Sequence, residues 1–148
     1  MPNKFENFWI SQAAIIIKNG KLLILELASK PGYWDIPGGR IDVNEGDDSI
    51  KSFRREIKEE LDVSNFDIID IIDYDIWYVN KSGNKQGVCA LFFLIDNLNT
   101  YNIKLSFEHK NFKWISMNEL GDDKFFWPGA VKILRKGFHR FNELNNKK

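Results

Sequence analysis

The chain has 148 residues, 43% of them apolar and 14% aromatic, with five Trp and twelve Phe, which is enough to bury a core and too apolar for disorder. Lys plus Arg and Asp plus Glu both number 21, so the formal net charge is zero and a protein that holds nucleic acid by phosphate neutralisation is disfavoured. The longest apolar run, Val88–Ile95, falls far short of the ~20 residues that span a bilayer. The start, MPNKFENFWISQ, carries no secretory apolar core. No membrane association, a cytoplasmic location and one domain over residues 1–148 are the resulting expectations. Cys89 stands alone inside that apolar run and reads as a small buried hydrophobe.

In chain order, Ile10–Ile17 and Leu22–Leu27 are β-branched and aliphatic, and Asn19-Gly20 between them is a strong hairpin signal. Ala28–Arg40 reads as a loop through Pro31-Gly32 and Pro37-Gly38-Gly39. Ser49–Asp62 is predicted helical, capped by Asp47, Asp48 or Ser49, with Ile50, Phe53, Ile57 and Leu61 as its apolar stripe. Two strands are expected over Asp67–Val79 and Gln86–Ile95, joined by a turn at Lys81–Lys85, and another around Phe112–Ile115. Pro128–Leu144 closes the chain as a second helix, with Val131, Leu134, Phe138 and Phe141 on one face. Gly137 inside it costs about 1 kcal/mol relative to Ala. Strands joined by hairpins and separated by helices favour an α+β arrangement, a mixed sheet packed between helices.

The chemistry concentrates on the first helix. At about 100° per residue, Glu60 lies about 40° to one side of Glu56 and Glu59 about 60° to the other. Three carboxylates so placed repel one another unless a cation stands among them. Mg²⁺ suits such a cluster, because it takes carboxylates, waters and phosphate oxygens together. The bland alternative is a solvated face, since Arg54, Arg55, Lys58 and Lys51 are interleaved. Just upstream, Pro37-Gly38-Gly39-Arg40 offers bare backbone that a phosphate or a metal can approach closely. A Gly-rich loop feeding a carboxylate-bearing helix points to metal-assisted attack on a phosphoanhydride.

The run GGRIDVNEGDDSIKSFRREIKEELDV resembles the signature of the Nudix hydrolases (MutT-like), G-x5-E-x7-R-E-U-x-E-E-x-G-U, where U is apolar. Arg55-Glu56-Ile57-Lys58-Glu59-Glu60 matches the R-E-U-x-E-E half, Val63 the closing apolar position, and Gly39 with Glu45 the G-x5-E half. Two departures stand out. Nine residues separate Glu45 from Arg55 where the pattern has seven, so either Glu45 or Asp47 fills the first acidic slot. Asp62 replaces the Gly that ends the helix, and Asp tolerates a left-handed cap better than most residues.

The resemblance implies a Nudix-type α/β/α sandwich and a pyrophosphohydrolase that cleaves a diphosphate linkage in a small nucleotide-like substrate. It implies Glu56, Glu59 and Glu60 as ligands of Mg²⁺, with Mn²⁺ as an alternative, and Gly38, Gly39 and Arg40 toward the phosphates. Arg55 would orient a carboxylate, and the general base would be Glu59 or Glu108. The segment Leu105–His109 ahead of Trp114 is similar to one in family members acting on dinucleoside polyphosphates or nucleoside triphosphates, with His109 structural. Tyr33, Trp34, Trp77 and Tyr78 are candidates for stacking on a base, against the ordinary reading of core packing. A homodimer is compatible with the family. The rival reading is a non-catalytic Nudix-fold module that senses nucleotide, and a third is the family's isomerase chemistry, for which Cys89 is a poor nucleophile.

Overall fold

The runs Phe8–Lys18 (β1) and Lys21–Leu27 (β2) are apolar almost without alternation because both of their faces are buried. The computed structural model describes residues 4–148, so the first three residues of the amino-terminal segment read above lie outside the described residues. Along β1, Ala13, Ile15 and Ile17 point to one side of the sheet and Ala14 and Ile16 to the other; Leu22 and Ile24 alternate with Leu23 and Leu25 in β2. The remaining elements are Tyr33–Asp35 (β3), Gly38–Arg40 (β4), Ser49–Leu61 (α1), Asp67–Lys81 (β5), Asn84–Asp96 (β6), His109–Ser116 (β7), Lys124–Phe125 (β8) and Ala130–Asn146 (α2), with a 3₁₀ turn at Met117–Glu119.

The eight strands run in the order β5-β6-β1-β2-β3-β8, with β4 also pairing β1 and β7 also pairing β2. The predicted hairpin forms, turning at Asn19 and Gly20 with φ of 52° and 73°. Its two strands stay paired only at Ile17 with Leu22 and Lys18 with Lys21. Beyond those rungs β1 pairs parallel with β6 and antiparallel with β4, while β2 turns to β3 and β7. The sheet therefore splays and opens a cleft where the strands part. The segment expected to be a loop over Ala28–Arg40 supplies β3 and β4, short strands whose pairing is a backbone matter and leaves no side-chain pattern.

Helix α1 packs Phe53, Ile57 and Leu61 onto Ala14, Ile16, Leu23 and Leu25. Ile50, expected in that stripe, is 44% exposed and stands outside the buried cluster that takes in Phe53, Ile57 and Leu61. Asp48 caps the helix by accepting from the Lys51 amide at 3.0 Å, and Asp62 ends it in the left-handed conformation with φ of 58°. Helix α2 covers the other face with Ile133, Leu134 and Phe138. Gly137 is explained there: a Cβ on it would stand 2.9 Å from the Ile15 side chain, so α2 approaches β1 as closely as only Gly permits. The whole is an α/β/α sandwich. Among the described residues no helix is long and apolar enough to cross a membrane. Cys89 is half-buried, more open than its apolar run suggested.

Candidate active site

With Phe53, Ile57 and Leu61 turned into the sheet, α1 presents Glu56 and Glu60 along the flank that meets β4. The Gly38 amide donates to Glu60 Oε2 at 2.8 Å, and Glu60 is only 6% exposed. A Cβ on Gly39 would stand 2.2 Å from the Glu56 carboxyl carbon, and one on Gly38 would stand 2.1 Å from the Gln12 carbonyl oxygen. The two glycines are thus required by close approach, one to a carboxylate and the other to the neighbouring strand.

Arg55 sits on the outer side of this flank. Its Nε and Nη2 donate to the two oxygens of Glu45 at 3.0 and 2.9 Å, and its Nη1 donates to Glu59 at 3.1 Å. Nη2 also lies 3.0 Å from Glu56 and 3.2 Å from Asp42. Glu45 further accepts from Ser52 Oγ at 2.9 Å and from the Asp42 amide at 3.1 Å. The Arg55 guanidinium, first among these donors, holds the Glu45 carboxyl down to about 2. Of the two acids left open above, the ion pair with Arg55 therefore falls to Glu45. Two consecutive turns, closed by the Glu45 amide to Asp42 O and the Asp48 amide to Glu45 O, fill the segment ahead of α1.

Inside, the charge balance reverses. Burial, reinforced by the carboxylates of Asp35, Glu56 and Glu108, pushes Glu60 up to about 9 against the opposing hydrogen bond from Gly38. Burial likewise raises Asp35 to about 7, opposed by the Ile36 amide, and raises Glu56, opposed by Arg55. These groups face a cavity of about 630 Å³, lined among others by Gly38, Gly39, Arg40, Glu56, Glu60 and Glu108. A smaller cleft beside it is lined by Glu56, Glu59, Glu60, Ser106, Phe107 and Glu108. Of the residues singled out from sequence, six therefore share one cavity, Glu59 stands at its edge bound to Arg55, and Arg55 lies behind. The Arg40 guanidinium stacks 4.0 Å over the Trp9 ring.

Asp35 and Gln12 line the cavity with no signal in the sequence, and His109, expected as structural, lines it with them. Asp35 is one carboxylate in a loop, and its burial beside Glu60 depends on β3 joining β2. Gln12 and His109, 2% and 8% exposed, line the same cavity with Gln12 Oε1 and His109 Nδ1 lacking a hydrogen-bond partner. Burial lowers the proton affinity of His109. At the mouth stand Phe107, 91% exposed, and Phe126. An inner chamber of about 60 Å³ adjoins the cavity through Ser11, Ala13 and Asp35 and is walled by Trp77, Phe126 and Trp127. Trp127 stacks on Phe92 with centroids 5.4 Å apart, and its Nε1 is buried without a partner. Of the four aromatics expected as stacking candidates, only Trp77 lies here. Trp34 is buried in the core, Lys30 covers Tyr33 at 3.9 Å, and Tyr78 is exposed on the outer face of β5.

Among the described residues no three Asp, Glu, His or Cys side chains are gathered as a ready-made metal cage. The donor set nevertheless fits a hard divalent cation that takes one or two carboxylates and completes its shell with water and phosphate oxygens. Glu56 and Glu60 converge on the backbone of Gly39 and Gly38, and burial, with the neighbouring carboxylates adding to it, raises the proton affinity of Glu60.

The sequence matches the family described as the NUDIX domain over residues 9–137. A curated relative, the asymmetrical bis(5'-nucleosyl)-tetraphosphatase of Caenorhabditis elegans, is 26% identical over 100 residues, covering 67% of this chain and 70% of the relative. The solution structure of the E. coli ORF135 protein superposes with a TM-score of 0.71 at 19% identity, over 100% of this chain and 98% of that one. The crystal structure of the MutT protein from Methanosarcina mazei Go1 gives 0.69 at 25% identity, over 97% and 98%. The chain belongs to the Nudix hydrolase family, and its mixed sheet between two helices is the sandwich of those structures.

Proposed function

We propose that this protein is a divalent-metal-dependent pyrophosphohydrolase that cleaves a diphosphate linkage in a nucleoside-diphosphate-linked small molecule, with dinucleoside polyphosphates first and nucleoside triphosphates second as substrate class. The observation that carries the reading is the convergence of Glu56, Glu60 and Glu108 on one cavity floored by the bare backbone of Gly38 and Gly39. Glu56 and Glu60, with Glu59 at the edge, are the residues that would hold Mg²⁺ or Mn²⁺. Such an ion, when bound, polarises a phosphoryl oxygen and neutralises the leaving phosphate.

The chain's own groups divide the remaining work. Both oxygens of Glu59 accept from Arg55 Nη1 at 3.1 Å, which ties that carboxylate in place. Among the described residues no hydrogen bond or ion pair holds the Glu108 carboxylate, although its amide donates to Ser106 Oγ at 3.4 Å, and this leaves the carboxylate the freer acceptor for the proton of an attacking water. The water oxygen bonds to phosphorus as its proton passes to Glu108, the P–O bond of the anhydride breaks, and two phosphate-bearing products are released. Arg40 reaches the phosphates, and Arg55 keeps Glu56 and Glu59 oriented through Glu45. The aromatic side chains of Trp77, Phe126 and Trp127 beside the cavity suit the stacking of a planar base. The likeness to the tetraphosphatase of C. elegans supports the first of the two substrate classes.

The test is release of phosphate, pyrophosphate or nucleotide from dinucleoside polyphosphates, nucleoside triphosphates and nucleotide sugars, with Mg²⁺, Mn²⁺ or EDTA. Metal-dependent release, fastest from a dinucleoside polyphosphate, is the expected result. Binding of nucleotide by folded protein without release from any compound would replace this reading by the sensing module.

A further inference from the structure

Strand β5 ends the sheet, and with β6 it forms a ribbon of 15 and 13 residues that runs past the end of α1. The side of β5 toward α2 is occupied: Ile72 and Trp77 pack on the core there, Asp73 pairs with Lys136, and Asp70 pairs with Arg140 at 2.7 Å. The alternate residues Ile71, Tyr74, Ile76 and Tyr78 look the other way. The ladder sets Tyr74 beside Leu91, Ile76 beside Cys89, and Cys89 beside Ile10 of β1. Helix α1 covers this face only at its far end, where Phe53 meets Phe93 with ring centroids 5.3 Å apart. Past that contact Tyr74 is 62% exposed, Ile71 55%, Tyr78 50%, Ile76 49% and Ile10 37%.

We propose that this face is the interface of a homodimer, two copies meeting face to face across a two-fold axis. The apolar surface left open is on the order of 500 Å², at the top of what an ordinary monomer shows. Two such patches in contact remove about 1,000 Å² from solvent, the threshold for a specific association. The choice of a second copy over another partner rests on charge. Asp70 and Asp73 of β5 are turned to the opposite face and paired with α2, so the apolar side chains of the patch meet no charge repulsion from their own image. Its border carries both signs at Tyr78, whose hydroxyl donates to Glu6 at 3.2 Å and whose ring lies 5.8 Å from Lys85 Nζ. A nucleic acid or a charged peptide would find no counter-charge on it.

The test is the mass of the full chain by sedimentation or light scattering across a concentration series. A dimer is expected, and Tyr74→Lys and Ile76→Lys should each raise its dissociation constant at least about tenfold. Val43→Lys, in an exposed loop elsewhere, should leave it unchanged. Cys89 gives a second readout on the unaltered protein, because it is half-buried within the patch. Its reaction with a thiol reagent should slow several-fold as the protein concentration passes the dissociation constant, which decides the matter if a Lys variant does not fold. A monomer at every concentration, a dimer indifferent to both Lys substitutions, or a Cys89 rate independent of concentration would overturn the proposal.

Discussion

Arg55 grips Glu45 through two donors, Nε at 3.0 Å and Nη2 at 2.9 Å, across the nine residues that separate them in sequence. The same guanidinium reaches Glu56 and Glu59. It is therefore the strut that ties the loop before α1 to the carboxylate flank, and its other partners depend on Glu45 holding it.

Glu45→Gln removes the charge that anchors Arg55, and turnover should fall roughly 10–100-fold, as for a group that orients ligands without being one. Asp47→Asn should leave turnover within about twofold, since Arg55 makes no contact with it. Steady-state kinetics on the two variants separate the acids that sequence spacing left open. Equal losses in both would mean that the loop rearranges in solution.

The two glycines of β4 should fail differently. Gly39→Ala drives a methyl into the Glu56 carboxylate, so the protein should fold and lose activity, with the rate requiring at least about tenfold more divalent metal. Gly38→Ala meets the backbone of β1, which cannot give way, and should cost about 3 kcal/mol of stability. Urea unfolding and metal-titrated rates on both variants check the contrast.

Stability without divalent metal should depend on pH in a defined way. Glu60 titrates near 9 when folded against an ordinary 4.5, so between those values the folded chain holds a proton that the unfolded chain has released. Stability therefore falls as pH rises across that window. Asp35, raised from 3.8 to about 7, adds to the lower part of the same slope. Glu45 acts in the opposite sense, contributing stability above its ordinary 4.5 that is lost as pH falls toward about 2. Thermal midpoints in EDTA should thus pass through a maximum on the acid side. Glu60→Gln should flatten the slope above 7, and a slope unchanged in that variant would contradict the assignment.

Glu108→Gln should lower kcat by about 10²–10⁴-fold, the usual contribution of a general base, with little change in KM. A loss confined to Glu59→Gln would move the base onto α1.

Gly137→Ala tests the packing of α2. Helix propensity favours Ala by about 1 kcal/mol, but the added methyl presses on fully buried Ile15. Overpacking of this kind costs about 1–3 kcal/mol, so the net change should be destabilising. Ile15→Val in the same chain should recover part of the loss in a double-mutant cycle.

Much of this was legible in the sequence because it is local. Asn19-Gly20 specifies a turn whatever surrounds it, the spacing of Phe53, Ile57 and Leu61 specifies a buried helix face, and Asp62 accepts a left-handed cap. The order Arg55-Glu56-Ile57-Lys58-Glu59-Glu60 places five charged groups around one stretch of helix before any fold is known. Ile50 misled for the complementary reason: it keeps the period of the stripe, but it stands outside the buried cluster that Phe53, Ile57 and Leu61 join.

Only the tertiary structure decided which acids meet. Helical geometry treats Glu59 and Glu60 as near equivalents, yet one is tied to Arg55 at the surface and the other is buried under Gly38. Asp35, Glu60 and Glu108 come from a strand, a helix and a loop with no common sequence pattern, and the splaying of β1 from β2 brings them to one cavity. Sequence order constrains neighbours along the chain through backbone geometry. The proton affinities of Asp35 and Glu60 arise from desolvation and from charges distant in sequence, which exist only once the sheet has opened and α1 has closed over it.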